Sequence, residues 1–170
     1  EAWHFSTGFK SSLESSPAVS HDGTVVYAGV ADENMKDDDH FLYAIGAQDG
    51  TQIWKQRFPD SIFSSPAVSI DGSKIFVGCM DGNMYALDAI SGATLWTKKT
   101  GDSVASSPWY NSVGTVVYFG SDDGYLYALD AHAGTEIWKF RTGAEVSSSP
   151  NVSPDDAVVY VGSSDGKLYA

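Results

Sequence analysis

The hexapeptide Ser-Ser-Pro-Ala-Val-Ser stands at residues 15–20 and again at 64–69. Looser copies follow at 106–111 (SSPWYN) and 148–153 (SSPNVS). Tryptophans keep the same beat. Trp54, Trp96 and Trp138 are 42 residues apart, and Trp3 precedes Trp54 by 51. From tryptophan to the proline of the hexapeptide is 12 residues in three copies and 14 in the first. These intervals divide the chain into units at about 3–53, 54–95, 96–137 and 138–170. A chain built this way folds as stacked copies of one small motif, because no single unit can bury its own apolar faces.

Each unit carries four short runs: Ser-Ser-Pro-x-x-Ser, then a Val-Val-Tyr-x-Gly type run, then Leu-Tyr-Ala-Leu, then a segment around tryptophan. The runs are rich in Val, Ile, Tyr and Phe and bounded by Gly, Asp and Ser. That reads as strands, with no three-and-four apolar spacing for a helix. A period near 42 with four strands per unit is the mark of a β-propeller blade. The second and third strands should be buried on both faces, and small residues of the first should lie nearest the axis. The fourth should be the outer edge. Six of the ten basic residues fall on it (Lys55, Arg57, Lys98, Lys99, Lys139 and Arg141). Charge on an edge strand discourages sheet-to-sheet association.

The formal net charge of −12 excludes nucleic-acid binding through a basic face. Much of the acid is turn chemistry: Asp22, Asp49, Asp71, Asp81, Asp123 and Asp165 each precede a glycine. The single cysteine, Cys79, sits in a strand sequence and reads as a small buried apolar residue. No apolar run has the length of a membrane span. The N-terminal sequence EAWHFSTGFK does not read as a signal peptide, and a mature secreted chain would look the same.

Three segments, AIGAQDGTQIW (44–54), ALDAISGATLW (86–96) and ALDAHAGTEIW (128–138), share Ala, then Gly six residues on, then Trp four further. They resemble the tryptophan-docking motif of the PQQ-like repeat family, the quinoprotein-type β-propellers, and the resemblance covers essentially the whole chain. It implies that Trp54, Trp96 and Trp138 pack against the small motif residues Ala44, Ala86, Ala128, Gly50, Gly92 and Gly134. Trp3 would belong to a motif whose front half is missing. Gly46 departs from the Asp88 and Asp130 of the other copies. Family members normally have seven or eight blades, and an extracytoplasmic location is compatible with the resemblance. The expected fold is therefore an all-β propeller of four-stranded antiparallel blades, four repeats of a seven- or eight-bladed ring. The first residues read as an outer strand, which could complete the last blade. A segment of a longer propeller, two paired copies and a closed four-bladed ring all remain open.

Active quinoprotein members resemble one another in an axial cofactor, a catalytic carboxylate, a neighbouring Ca²⁺ and often adjacent cysteines. This chain has no Cys-Cys pair and no carboxylate that stands apart from the turns. No cofactor is expected in it, and PQQ with Ca²⁺ enters only if the chain is part of a dehydrogenase. Departures from the repeat are better candidates for a site. The insertion ADENMKDDDH brings Asp32, Glu33, Asp37, Asp38 and Asp39 together. It reads as a solvated acidic loop, with a Ca²⁺ site or partner contact as alternatives. Trp109 and Tyr110 replace the small or aliphatic residues of the other inner strands. They either fill space or offer a stacking platform to a ligand or peptide. His132 and the other histidines show no metal-ligand spacing. The Ser-Ser pairs recur four times, which argues for a structural role near the axis, not for a nucleophile. The resulting expectation is a non-catalytic propeller that serves as a rigid interaction or assembly scaffold for a protein partner. A PQQ-dependent alcohol or sugar dehydrogenase segment and a glycan- or small-ligand-binding propeller are the alternatives.

Overall fold

The computed structural model describes residues 3–7, 13–30 and 40–170. Among them there is no helix, and so none long and apolar enough to cross a membrane. Three four-stranded antiparallel sheets and one three-stranded sheet follow the repeat. Blade 1 holds β1 (Ala18–Val19), β2 (Val25–Gly29), β3 (Phe41–Gly46) and β4 (Gln52–Arg57). Blade 2 holds β5 (Ala67–Val68), β6 (Lys74–Cys79), β7 (Asn83–Asp88) and β8 (Thr94–Lys99). Blade 3 holds β9 (Trp109–Tyr110), β10 (Val116–Gly120), β11 (Tyr125–Asp130) and β12 (Glu136–Arg141). Blade 4 holds β13 (Asn151–Val152), β14 (Val159–Gly162) and β15 (Leu168–Tyr169). Strand order within each sheet is sequence order. The chain is an all-β propeller, and the expected strands fall where the repeat puts them.

Burial follows position in the blade. The middle strands β6, β7, β10 and β11 are almost wholly buried, whereas β4, β8 and β12 are mostly exposed. All six basic residues singled out on the fourth strand lie there. Lys55 lies 4.5 Å above the Phe41 ring, Lys139 lies 4.7 Å above Tyr125, and Lys98 pairs with Glu136 of the next blade at 2.8 Å. The ammonium groups of Lys55 and Lys139 thus sit on the faces of third-strand aromatic rings, and Lys98 closes an ion pair between blades.

Every serine of the hexapeptide has a structural task. The first is buried in blades 1–3 and exposed in blade 4, and in each its hydroxyl accepts the N–H of the second-strand glycine: Ser15 from Gly29 (2.9 Å), Ser64 from Gly78 (3.1 Å), Ser106 from Gly120 (3.0 Å) and Ser148 from Gly162 (2.8 Å). The second joins neighbouring blades. The N–H of Ser16 donates to Ser65 Oγ, that of Ser65 to Ser107 Oγ, and that of Ser107 to Ser149 Oγ, at 2.9–3.1 Å. The last, Ser20, Ser69 or Ser153, ties the first hairpin by accepting an N–H five residues on. Asn111 does the same in blade 3. Short hydroxyls meet these backbone donors where a larger side chain would not fit.

The blades press together at the second-strand glycine. A methyl group on Gly78 would collide with the carbonyl of Val104, and one on Gly120 with that of Val146. Ile62, Val104 and Val146, which seal these contacts, are fully buried. Cys79 is buried as expected, and its thiol donates to the Asp60 carbonyl at 3.3 Å. Burial pushes its pKa up to about 12.

The N-terminal residues depart from expectation. Residues 3–7 form no strand and do not join the last blade, whose sheet has three strands. They lie instead on blade 1, where Trp3 and Phe5 pack on the cluster of Val30, Tyr43 and Ile45. Trp3 is held there by a 2.9 Å hydrogen bond from its Nε1 to the Ala47 carbonyl.

Candidate functional site

Two constellations were singled out from the sequence, and the fold separates them. The docking residues lie between blades, towards the outer edge. Ala44, Ala86 and Ala128 stand directly opposite Trp54, Trp96 and Trp138 on the paired strand. The indoles of Trp54 and Trp96 then reach the following blade. A methyl on Gly92 would sit 2.7 Å from the Trp54 ring, and one on Gly134 would sit 2.6 Å from Trp96. Gly50 receives Trp3 in the same way, at 2.7 Å. These glycines have φ near +70°, so both the turn and the close approach of the ring require them. Trp54 and Trp96 donate through Nε1 to the carbonyls of Ala89 (3.1 Å) and Ala131 (3.3 Å). Trp138 meets no such glycine and is 39% exposed. The Gly46 corner keeps the backbone bond of its counterparts, Gly50 N–H to Gly46 O at 2.9 Å, as Gly92 bonds Asp88. Asp49 fills the space, since a methyl on Gly46 would meet its carboxylate at 2.7 Å.

The second constellation lies on the axis. Trp109 and Tyr110 form β9, the inner strand of blade 3. Their rings are nearly parallel, at 5°, with centroids 5.7 Å apart. Trp109 is 46% exposed, so it does not simply fill the interior. The pair borders a shallow depression of about 420 Å³ whose other walls are small: Ala18 and Val19 of blade 1, Ala67 and Val68 of blade 2, and the ladder serines. His21 sits at its rim and hydrogen-bonds the Ser69 carbonyl at 2.9 Å. Such a floor of small residues with one aromatic wall can take a flat or extended apolar group.

No Lys, Arg, Asp or Glu lines this depression among the described residues. An anionic quinone with a divalent cation beside it needs charges of both signs, so this donor set does not suit it, and no redox step follows from it. Among the described residues no group of three metal-ligating side chains comes together. His132 lies exposed in the turn after β11. The acidic stretch with Asp32, Glu33, Asp37, Asp38 and Asp39 lies outside the described residues.

One recurrent pair escaped the sequence reading. The phenols of Tyr85, Tyr127 and Tyr169 donate to Asp81, Asp123 and Asp165 at 2.5–2.6 Å. Burial first, and the facing carboxylate second, push the Tyr85 and Tyr127 phenols well above their ordinary pKa. Asp123 also accepts the Gly101 N–H (2.7 Å), and Asp165 the Gly143 N–H (3.1 Å), which clasps one blade to the next. The signal was present as Asp-Gly-x-x-Tyr, hidden because every such aspartate also opens a turn. These are structural clasps, since each is repeated and none faces the axial depression.

Blade order, the docking tryptophans and the inner serine strands together define a propeller of PQQ-like repeats. The sequence profile of one family within that class, the outer membrane protein assembly factor BamB, matches residues 1–106 and 38–170. The chain therefore belongs to the BamB family. Among solved structures it is similar to BamB from Moraxella catarrhalis, with a TM-score of 0.80 and 25% identity over 98% of this chain. It spans 48% of that relative's length. The computationally designed Ika4 protein has the same fold, with a TM-score of 0.79 and 16% identity over 99% of this chain and 95% of its own. A search of curated protein sequences gives no match.

Proposed function

We propose that this chain is a non-catalytic scaffold that holds a protein partner at the axial depression beside Trp109 and Tyr110. The observation that carries this reading is the exposed, stacked aromatic pair on a strand where the other blades have small or aliphatic residues. A rigid sheet on every side fixes the two rings, so an incoming segment loses entropy but the platform loses none. Aromatic side chains in a ring of small neighbours are the usual energetic anchors of protein interfaces. The partner suited to such a floor is an extended segment with an apolar or aromatic side chain that stacks on Trp109. The BamB relatives are described as assembly factors for outer membrane proteins, and a role in protein assembly is the reading that this membership supports.

A photoreactive residue at position 19, half-exposed in the same depression, tests the proposal. The expected result is one defined protein adduct, lost in Trp109→Ala without a change in melting temperature, and absent with the probe at exposed Ile90. Equal labelling at both positions, or labelling indifferent to Trp109, overturns it. Saturable quenching of tryptophan fluorescence by oligosaccharides would replace it with the glycan-binding reading. Dye-linked alcohol or sugar oxidation that depends on added PQQ and Ca²⁺ would replace it with the dehydrogenase reading.

A further inference from the structure

Two isoleucines stand at turns where other blades carry none. Ile70 opens the first hairpin turn of blade 2, a position held by His21 in blade 1, Ser112 in blade 3 and Pro154 in blade 4. Ile90 lies in the turn after β7, where blades 1 and 3 have Gln48 and His132. Blades 1 and 3 close both turns with the same backbone bonds, so the isoleucines are not needed to form them. Ile90 is 85% exposed and Ile70 is 42% exposed. Side chains so open to water add little to the stability of their own blade.

Both line one groove between blades 1 and 2, with a volume of about 530 Å³. Ile53 of β4, 51% exposed, adds a third aliphatic wall. The buried part of the lining is aromatic, from Tyr27 and Trp54. Their polar atoms are already used: the Tyr27 hydroxyl and Trp54 Nε1 both donate to the Ala89 carbonyl, at 3.2 and 3.1 Å. An occupant therefore meets only the carbon of these rings.

The rim supplies a sign. Asp22 and Asp71 line the groove, and among the described residues no Lys or Arg does. Lys74, close to Asp71 in sequence, lines the hollow on the far side of that hairpin. Asp22 accepts its turn bonds on Oδ1, and among the described residues none reaches Oδ2. The Ser20 and Ser69 hydroxyls, first among several bonds, lower these two carboxyls to about 2, so the rim is charged at neutral pH. A second copy of this chain would bring a net charge of −12 to that rim. An anionic lipid surface is repelled in the same way. The occupant that matches both the apolar walls and the acidic rim is an apolar segment that carries cations.

We propose that this groove is a second protein-docking surface, which takes an extended partner segment whose aliphatic or aromatic side chains are flanked by Lys or Arg. The apolar side chains enter between Ile53, Ile70 and Ile90, and the flanking cations meet Asp22 and Asp71. An apolar centre inside a polar rim is the usual anatomy of a protein interface. His21 borders both this groove and the axial depression, so the two surfaces are neighbours. The inference nevertheless stands without the axial reading, because no part of it uses Trp109 or Tyr110.

The test is an NMR titration of backbone amides with end-blocked peptides: Lys-Leu-Phe-Leu-Lys, Glu-Leu-Phe-Leu-Glu and Lys-Ser-Gly-Ser-Lys. The first should shift the amides of Ile53, Ile70 and Ile90 saturably, and the other two should bind at least about tenfold more weakly. Ile90→Gln restores the blade 1 residue at an open turn. It should weaken the first peptide about tenfold at an unchanged melting temperature. Asp22→Asn with Asp71→Asn keeps an acceptor oxygen in each turn. It should weaken the same peptide about fivefold and abolish the preference over its glutamate analogue. Trp109→Ala should change none of this, which separates failure here from failure at the axis. A photoreactive residue at position 90 should likewise capture no protein that position 19 captures. Equal affinity for the lysine and glutamate peptides overturns the proposal, as do shifts centred on Trp109 and Tyr110. Concentration-dependent shifts at Ile70 and Ile90 without peptide overturn it in favour of a second copy of this chain.

Discussion

Blades 2 and 4 are written in nearly the same letters and end in different environments. Phe76, Tyr118 and Tyr160 occupy one position of the second strand. They are 1%, 7% and 41% exposed, in the order of blades 2, 3 and 4. Gly78 and Gly120 touch the backbone of the next blade, while the nearest atom to a methyl on Gly162 is Ser148 Oγ of its own blade, 3.2 Å away. The sequence of a blade thus sets its strands, but its neighbour sets its burial. Stability in such a stack is a sum of unit terms and interface terms, and the interface terms dominate where the aromatic residues lie.

The sharpest way to break this comparison is to remove the same side chain from both places. Trp96→Ala takes an indole off Gly134 and should cost about 3–5 kcal/mol. Trp138→Ala removes the same indole where no glycine receives it, and should cost about 1 kcal/mol. Urea denaturation measures both. Equal losses would mean that docking on the next blade contributes little and that each tryptophan acts within its own sheet.

A smaller and cleaner contrast is the addition of one methyl group. Gly120→Ala drives a carbon into the Val146 carbonyl, which can give way only if the whole connection to blade 4 shifts, at about 1–3 kcal/mol. Gly162→Ala meets only the exposed Ser148 side chain, which bonds the Gly162 backbone and has to give by a few tenths of an ångström, and should cost about 0.5–1 kcal/mol. A thermal melt of the two variants compares them directly. If Gly162→Ala costs as much, the close approach of the next connection at Gly120 is not what makes the methyl group costly.

Periodicity carried the fold because a repeat reports the same constraint four times. Val-Val-Tyr-x-Gly and Leu-Tyr-Ala-Leu could be placed in the middle of a blade from their apolar continuity alone. The glycine of each docking segment was legible from its fixed distance to tryptophan. What could not be read were bonds between units. The Ser65 to Ser107 link joins residues 42 apart whose identity is explained equally well by small size. Asp123 looked like one more turn aspartate, though its carboxylate also clasps Tyr127 and Gly101. The outer-strand character of residues 3–7 was legible, but not their perch on blade 1, because that depends on which neighbour is present. Trp109 and Tyr110 stood out as departures from the repeat. Only their exposure and parallel rings show that they border a depression.

The least of these contrasts lies in the first hairpin of each blade. In blade 1 the Asp22 carboxylate accepts from Ser20 and from the N–H of Thr24. In blade 2 Asp71 accepts likewise from Ser69 and the Ser73 N–H. These bonds, the serine hydroxyl first, lower both carboxyls to about 2 from the usual 3.8. In blade 3 the corresponding bond is made without acid, since Asn111 Oδ1 accepts the Thr115 N–H at 2.9 Å, and the carboxylate at this turn comes from the next blade, where Asp156 accepts the Ser112 N–H at 2.9 Å. A depressed carboxylate pKa stabilises the fold fully above the unfolded value, and that contribution is lost as pH falls through the folded one. The amide signals of Thr24 and Ser73 should therefore titrate by NMR with midpoints near pH 2, while that of Thr115 should stay still. Midpoints at the ordinary carboxylate value would show that the hydroxyl bonds are not held in solution. Movement of Thr115 along with the others would show that acid reaches this hairpin through Asp156 of blade 4, and that the hairpins are not independent of their neighbours.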